Sequence, residues 1–111
     1  MTSTKPKSIT LNGEKIDLFY INELATAIGR EPQTIRKWEV SGVLPKTAFK
    51  DKYGRRMYTR EQINVVVEYA ERYGITQGRS IANTSFKARI HKAFEDLNKK
   101  YFGETQQENN D

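Results

Sequence analysis

"YINELATAIGREPQTIRKWEVSGVLP", residues 20–45, is the stretch on which the fold turns. Two short helical patterns stand on either side of Gly29. The first covers 22–29, with Asn22 suited to the N-cap and Gly29 to the C-terminal stop. Leu24, Ala25 and Ile28 share one face of it. The second covers 32–41. Pro32 suits its first turn, where the missing N–H had no partner in any case. Ile35 and Trp38 face inward together, Gly42 ends the helix, and Pro45 prevents its resumption. The spacing across the pair is that of a helix-turn-helix. Ala25 is small where the second helix must cross, Gly29 tolerates the positive φ of the turn, and Ile35 is the apolar wedge.

Upstream, "SITLNGEKIDLF" places Asn12-Gly13 between two alternating runs, which predicts a β-hairpin. Downstream, "KTAFKDKYGRRMYT", residues 46–59, has two short arms around a tip at 51–54 and predicts a second hairpin with a basic tip. Thr59 and Gln62 have the spacing of a capping box. They open a third helix with Ile63, Val66, Val67, Ala70 and Tyr73 on its buried side and Gly74 at its end. Residues 75–84 read as a linker and 85–102 as a C-terminal amphipathic helix. The ends, 1–7 and 103–111, are polar and are expected to be disordered. The expected fold class is mainly α with small β-hairpins: a winged helix-turn-helix over 8–74, plus the C-terminal helix.

A chain of 111 residues holds one small domain. It has no cysteine, which excludes disulfides, thiolate metal sites and thiol nucleophiles and fits a reducing compartment. No apolar run approaches the roughly 18 residues of a membrane span, and "MTSTKPKSIT" lacks the apolar core of a secretory signal. A cytoplasmic, nucleoid-associated protein of a bacterial or phage-infected cell is expected. The net charge of +5 is unevenly placed. Residues 30–60 carry Arg30, Arg36, Lys37, Lys46, Lys50, Lys52, Arg55, Arg56 and Arg60 against Glu31, Glu39 and Asp51, an excess of six. The rest of the chain is near neutral, so a polyanionic partner is expected at this segment.

The stretch quoted above, followed by "GRRMYTREQI", resembles the DNA-binding domain of the MerR-type winged helix-turn-helix family, over roughly residues 19–73. Phage excisionases and small terminase subunits are of similar build. The resemblance implies a duplex-DNA-binding regulator, or an architectural, excision or packaging factor, and no enzyme. The sequence departs from the family at Glu31, where a Ser or Thr cap is usual, and at Arg55, where the wing often has Tyr. The family's long coiled coil, effector domain and cysteine ligands are missing, so no small-molecule effector, metal or cofactor is expected.

A helix fits the major groove and meets base edges with its first turns. With Ile35 and Trp38 turned inward, Gln33, Thr34, Arg36 and Lys37 lie on the other faces. Arg36 has the geometry for guanine O6 and N7, and Gln33 for adenine N6 and N7. Thr34 and Lys37 suit phosphates or a thymine methyl. In the wing, Lys50, Lys52, Tyr53, Arg55 and Arg56, with Arg60 behind, suit the backbone or a narrow minor groove. By the resemblance, Arg56 and Tyr58 match positions that support backbone contact. Tyr58 has a second reading, as a packed residue with a wet hydroxyl. Trp38 reads as core. His91, the only histidine, reads as a surface residue one turn before Glu95. Phe86, Ile90, Ala93, Leu97 and Tyr101 form a stripe that either pairs two subunits or closes the core of one. A homodimer or a cooperative assembly on DNA is therefore expected. The rival reading is an adaptor that uses the fold to bind an acidic protein surface. Salt-dependent binding to duplex DNA separates the two.

Overall fold

The computed structural model describes residues 7–103. The expected disorder of the termini falls outside these residues, except that Lys7 begins a strand and Gly103 follows the last helix. Strands β1 (Lys7–Leu11) and β2 (Glu14–Tyr20) form the first hairpin. Its turn is made by Asn12 at φ 54° and Gly13 at φ 82°, the pair of positive angles that matches the twist of two antiparallel strands. Helices α1 (Ile21–Ile28) and α2 (Pro32–Ser41) come next. The second hairpin, β3 (Phe49–Lys50) and β4 (Arg56–Thr59), leads into α3 (Arg60–Arg72). A short 3-10 turn, Ile75–Gln77, precedes α4 (Phe86–Phe102).

The two hairpins are one four-stranded sheet in the order β1-β2-β4-β3. They join where β2 pairs with β4, Phe19 opposite Tyr58 and Tyr20 opposite Met57. That pairing moves the start of α1. The sequence predicts Asn22 as its N-cap, but Tyr20 takes that place, with extended backbone and no side-chain cap. The ladder to Met57 holds the chain extended through Tyr20, and the helix begins directly after it at Ile21, ahead of the predicted N-cap, so Asn22 falls inside its first turn.

Expectations for the helix pair and for the start of α3 hold. Gly29 is left-handed at φ 73° and joins α1 to α2. Ala25 and Ile35 are both buried where the helices cross. The Thr59–Gln62 capping box is complete in both directions, which satisfies two amides at the start of α3. Glu31 stands at the N-cap of α2 and makes no side-chain cap bond.

Helix α4 settles into the body of the domain. Phe86, Ile90 and Phe94 share one core with Leu24, Ile35, Val66 and Ala70. Trp38 is buried in it, its ring 5.5 Å from that of Phe86. Each such apolar side chain contributes roughly 1.5–3 kcal/mol on burial. The segment read as a linker is held as well. Ile75 is fully buried, and the Arg30 guanidinium donates to the carbonyls of Ile75 (3.1 Å) and Arg79 (2.7 Å).

Of the two readings of the α4 stripe, a seam between subunits or a side that closes the core of one chain, the single chain realises the second for most of its length. Phe86, Ile90 and Tyr101 are buried within a single chain, while Ala93 and Leu97 are half-buried.

Candidate nucleic-acid interface

α2 has two sides. Ile35, Trp38 and Glu39 are buried. Gln33, Arg36 and Lys37 are exposed on the side away from them, and Thr34 lies on the flank, partly covered. The helix is fixed at its far end. Gly42 turns the chain at φ 88°, and the His91 Nε2–H of α4 donates to its carbonyl at 2.7 Å. The sequence predicts a surface pairing of His91 with Glu95. Instead the docking of α4 carries His91 to the C-terminus of α2, where it satisfies a carbonyl the helix leaves open.

Glu39 is the residue the sequence reading passed over. It sits on the buried side of α2, one position after Trp38, and its carboxylate accepts from the Tyr58 hydroxyl and from Arg56 Nη1 at 3.3 Å. Burial, and then the hydrogen bond to Glu39, push the Tyr58 phenol far above its ordinary range, so it remains a donor. The one available signal was a carboxylate at buried-stripe spacing, which demands a partner.

This bond corrects the assignment of Tyr58. It is 0% exposed, so it cannot touch a phosphate, and its hydroxyl is on Glu39 and not in water. Its role is to tie β4 to α2. Arg56 shares that tie, with its side chain 40% exposed beside the nearly closed Glu39.

The tip of the wing is organised around Asp51. Its carboxylate accepts from Tyr20 Oη (2.8 Å), the backbone amides of Tyr53 (2.8 Å) and Arg55 (2.9 Å), and Arg55 Nε (3.0 Å). Burial alone would raise this carboxyl. The bonds from Arg55, Tyr20 and Tyr53 outweigh it and lower the carboxyl from 3.8 to about 2. The Arg55 guanidinium lies over the rings of Tyr20 (5.2 Å) and Tyr53 (5.3 Å), and Lys52 lies over Tyr53 from 5.3 Å. Beneath the wing, Phe49 packs on Tyr101 and Phe102 of α4, with ring centroids 5.8 and 5.7 Å away. Thr47 Oγ1 donates to the Met57 carbonyl at 2.8 Å.

The basic residues therefore divide. Arg55 pairs with Asp51, Arg56 with Glu39, and Arg60 with Glu23 at 3.5 Å while its guanidinium stacks on Phe19. Arg30 is held by backbone carbonyls. Among the described residues, Arg36, Lys37, Lys46, Lys50 and Lys52 have no carboxylate partner and are exposed. Between α2 and the wing runs an open cleft of about 630 Å³, lined by Arg36, Arg55, Arg56, Lys7, Tyr20 and Asn22 among others. The structure thus brings Arg36 of α2 and Arg55 and Arg56 of the wing to one cationic groove. It sets Arg60 to the side, towards α1.

No described group of three His, Asp or Glu side chains is placed to hold a metal ion. No described helix is long and apolar enough to cross a membrane. Residues 19–71 match the family model described as MerR HTH family regulatory protein. No curated protein and no solved structure matches the chain.

Proposed function

With residues 19–71 forming a MerR-type helix-turn-helix domain, a DNA-binding regulatory fold, we propose that the protein recognises a specific double-stranded DNA sequence. α2 enters the major groove and the wing lies on the flanking backbone or minor groove. The observation that carries this reading is the outward face of α2. Gln33, Arg36 and Lys37 stand exposed opposite the core, Arg36 shares a cleft with Gly54, Arg55 and Arg56 of the wing, and Lys50, Lys52 and Tyr53 are exposed on that wing.

Each side chain then has a role set by its chemistry. Arg36 offers the guanidinium fork that fits guanine, and Gln33 the amide that fits adenine. Lys37, Thr34, Lys50 and Lys52 meet phosphates, which position the protein without reading sequence. Tyr53, 70% exposed and flanked by cations, lies against the sugar–phosphate edge. Arg55 and Arg56 face the same groove and hold the wing's shape through Asp51 and Glu39. Such a protein acts as a small transcriptional regulator or as a phage-type architectural, excision or packaging factor. With the α4 stripe covered, copies associate on adjacent DNA sites and not through a pre-formed α4 seam.

The test is selection of bound sequences from random duplexes, followed by a salt titration on the selected site. Five unpartnered cations give a slope of log affinity against log salt of roughly −4 to −5 per copy. A defined motif with that slope is the expected result. A slope near zero with no motif would sink the DNA reading and favour an acidic protein partner.

A further inference from the structure

Val40 is the most exposed large apolar side chain of the described residues, at 88%. A lone exposed valine is ordinary and needs no explanation. Its position in the helix is what sets this one apart. Gln33, Arg36, Lys37 and Val40 follow the spacing 0, 3, 4, 7, so they form one stripe along α2, on the side opposite Ile35 and Trp38. A recognition helix that lies along the major groove can read bases past its first turns with this spacing, as the homeodomain does.

The stripe is also stiff where Val40 sits. One residue beyond Ser41, Gly42 turns the chain and its carbonyl is held by His91; the Leu44 amide returns to the Trp38 carbonyl at 3.2 Å. A β-branched side chain in a helix has essentially one preferred rotamer. The two methyls of Val40 are therefore presented in one direction before any partner arrives.

A valine on such a stripe can offer only apolar contact. The major groove carries one apolar feature on its base edges, the C5 methyl of thymine. We propose that Val40 reads a thymine methyl, and so selects T·A at one position beyond those read by Gln33 and Arg36. This rests on the DNA-binding reading above. It adds an apolar determinant to an interface whose other members are polar or charged.

The experiment uses the full chain and the selected duplex, with deoxyuridine replacing each thymidine in turn. Deoxyuridine removes the methyl and leaves every hydrogen-bonding group in place. The wild-type protein should lose about fourfold in affinity at one position, the factor of one buried methylene. Val40→Ala should lose about the same factor on the thymidine duplex and become indifferent to deoxyuridine at that position. Arg36→Ala should keep the methyl sensitivity. Because Val40 is exposed and Ala is the better helix former, the Val40→Ala melt should match or slightly exceed the wild type. If wild type binds with a clear motif but no position is methyl-sensitive, or if Val40→Ala keeps the sensitivity, the Val40 proposal falls and the DNA reading stands. If wild type binds no duplex at all, both fall together.

Discussion

The outer face of α2 and the wing carry similar charge and use it differently. On α2, Arg36 and Lys37 have no carboxylate beside them among the described residues, and nothing within the domain fixes their ends. On the wing, Asp51 holds Arg55 and Glu39 holds Arg56, and aromatic rings lie under Arg55. The difference follows from what lies beneath. α2 is a regular helix clamped by the core, so its shape needs no help from its exposed side. The wing is anchored on one side, where β4 pairs with β2, but its outer strand β3 is only two residues long and adds little ladder towards the tip. Its charged residues supply the missing order. A count of basic residues therefore overstates the contacts available to a polyanion, because part of the charge is structural.

Both regions rest on α4, and the largest effect is expected there. Ile90→Asp should cost more than the roughly 2–5 kcal/mol of a core cavity, since it also buries an unpaired charge. The chain should lose its cooperative melt and its DNA binding together. A folded variant that melts like the wild type and sizes as a monomer would mean that α4 is a pairing seam after all.

Glu39 is where the two regions meet, and its removal should separate them. Glu39→Ala leaves the buried Tyr58 hydroxyl without its acceptor. A loss of about 1–3 kcal/mol follows, read as a fall in Tm of roughly 4–8 °C per kcal/mol in a domain of this size. Glu39→Gln, which keeps an acceptor, should fall less. If Glu39→Ala melts unchanged, the wing does not depend on α2.

Arg36→Ala and Lys52→Ala compare the regions directly on DNA. Arg36→Ala should lose roughly 1–3 kcal/mol and relax base preference at one position. Lys52→Ala should weaken all sequences alike and reduce the salt slope by about 1. Equal loss of motif from both variants would erase the distinction between a reading helix and a positioning wing.

The smallest effect concerns the tip. The Asp51 carboxyl is lowered from 3.8 in its ordinary state to about 2 in the fold. A lowered carboxyl stabilises the fold fully above its ordinary value, and that contribution is lost as pH falls towards the folded value. Wing-tip amide signals of Tyr53 and Arg55 should therefore hold at pH 5 and broaden between about pH 4 and 2. Asp51→Asn should flatten that acid limb and leave the α2 signals unchanged.

Much of this was legible along the chain because its causes lie within a few residues. Gly29 takes the left-handed turn without a Cβ penalty, Pro32 suits the first turn of a helix, and Thr59 meets Gln62 across one turn. The inward and outward sides of α2 follow from helical spacing alone, and so do the candidate contacts Gln33, Arg36 and Lys37. The start of α1 did not follow, because the ladder between Tyr20 and Met57 overrides the capping preference of Asn22. Nor did the places of Tyr58, His91 and Glu39. Their partners are 19, 49 and 17 residues away, distances at which no local pattern operates. An apolar stripe such as that of α4 states only that something must cover it. Composition and periodicity determined that this protein has a helix-turn-helix with a basic wing. Only the tertiary structure decided that α4 covers its stripe with its own core, and which of the basic residues remain free to meet DNA, since burial and charge pairing are settled by whatever the fold brings within a few ångströms.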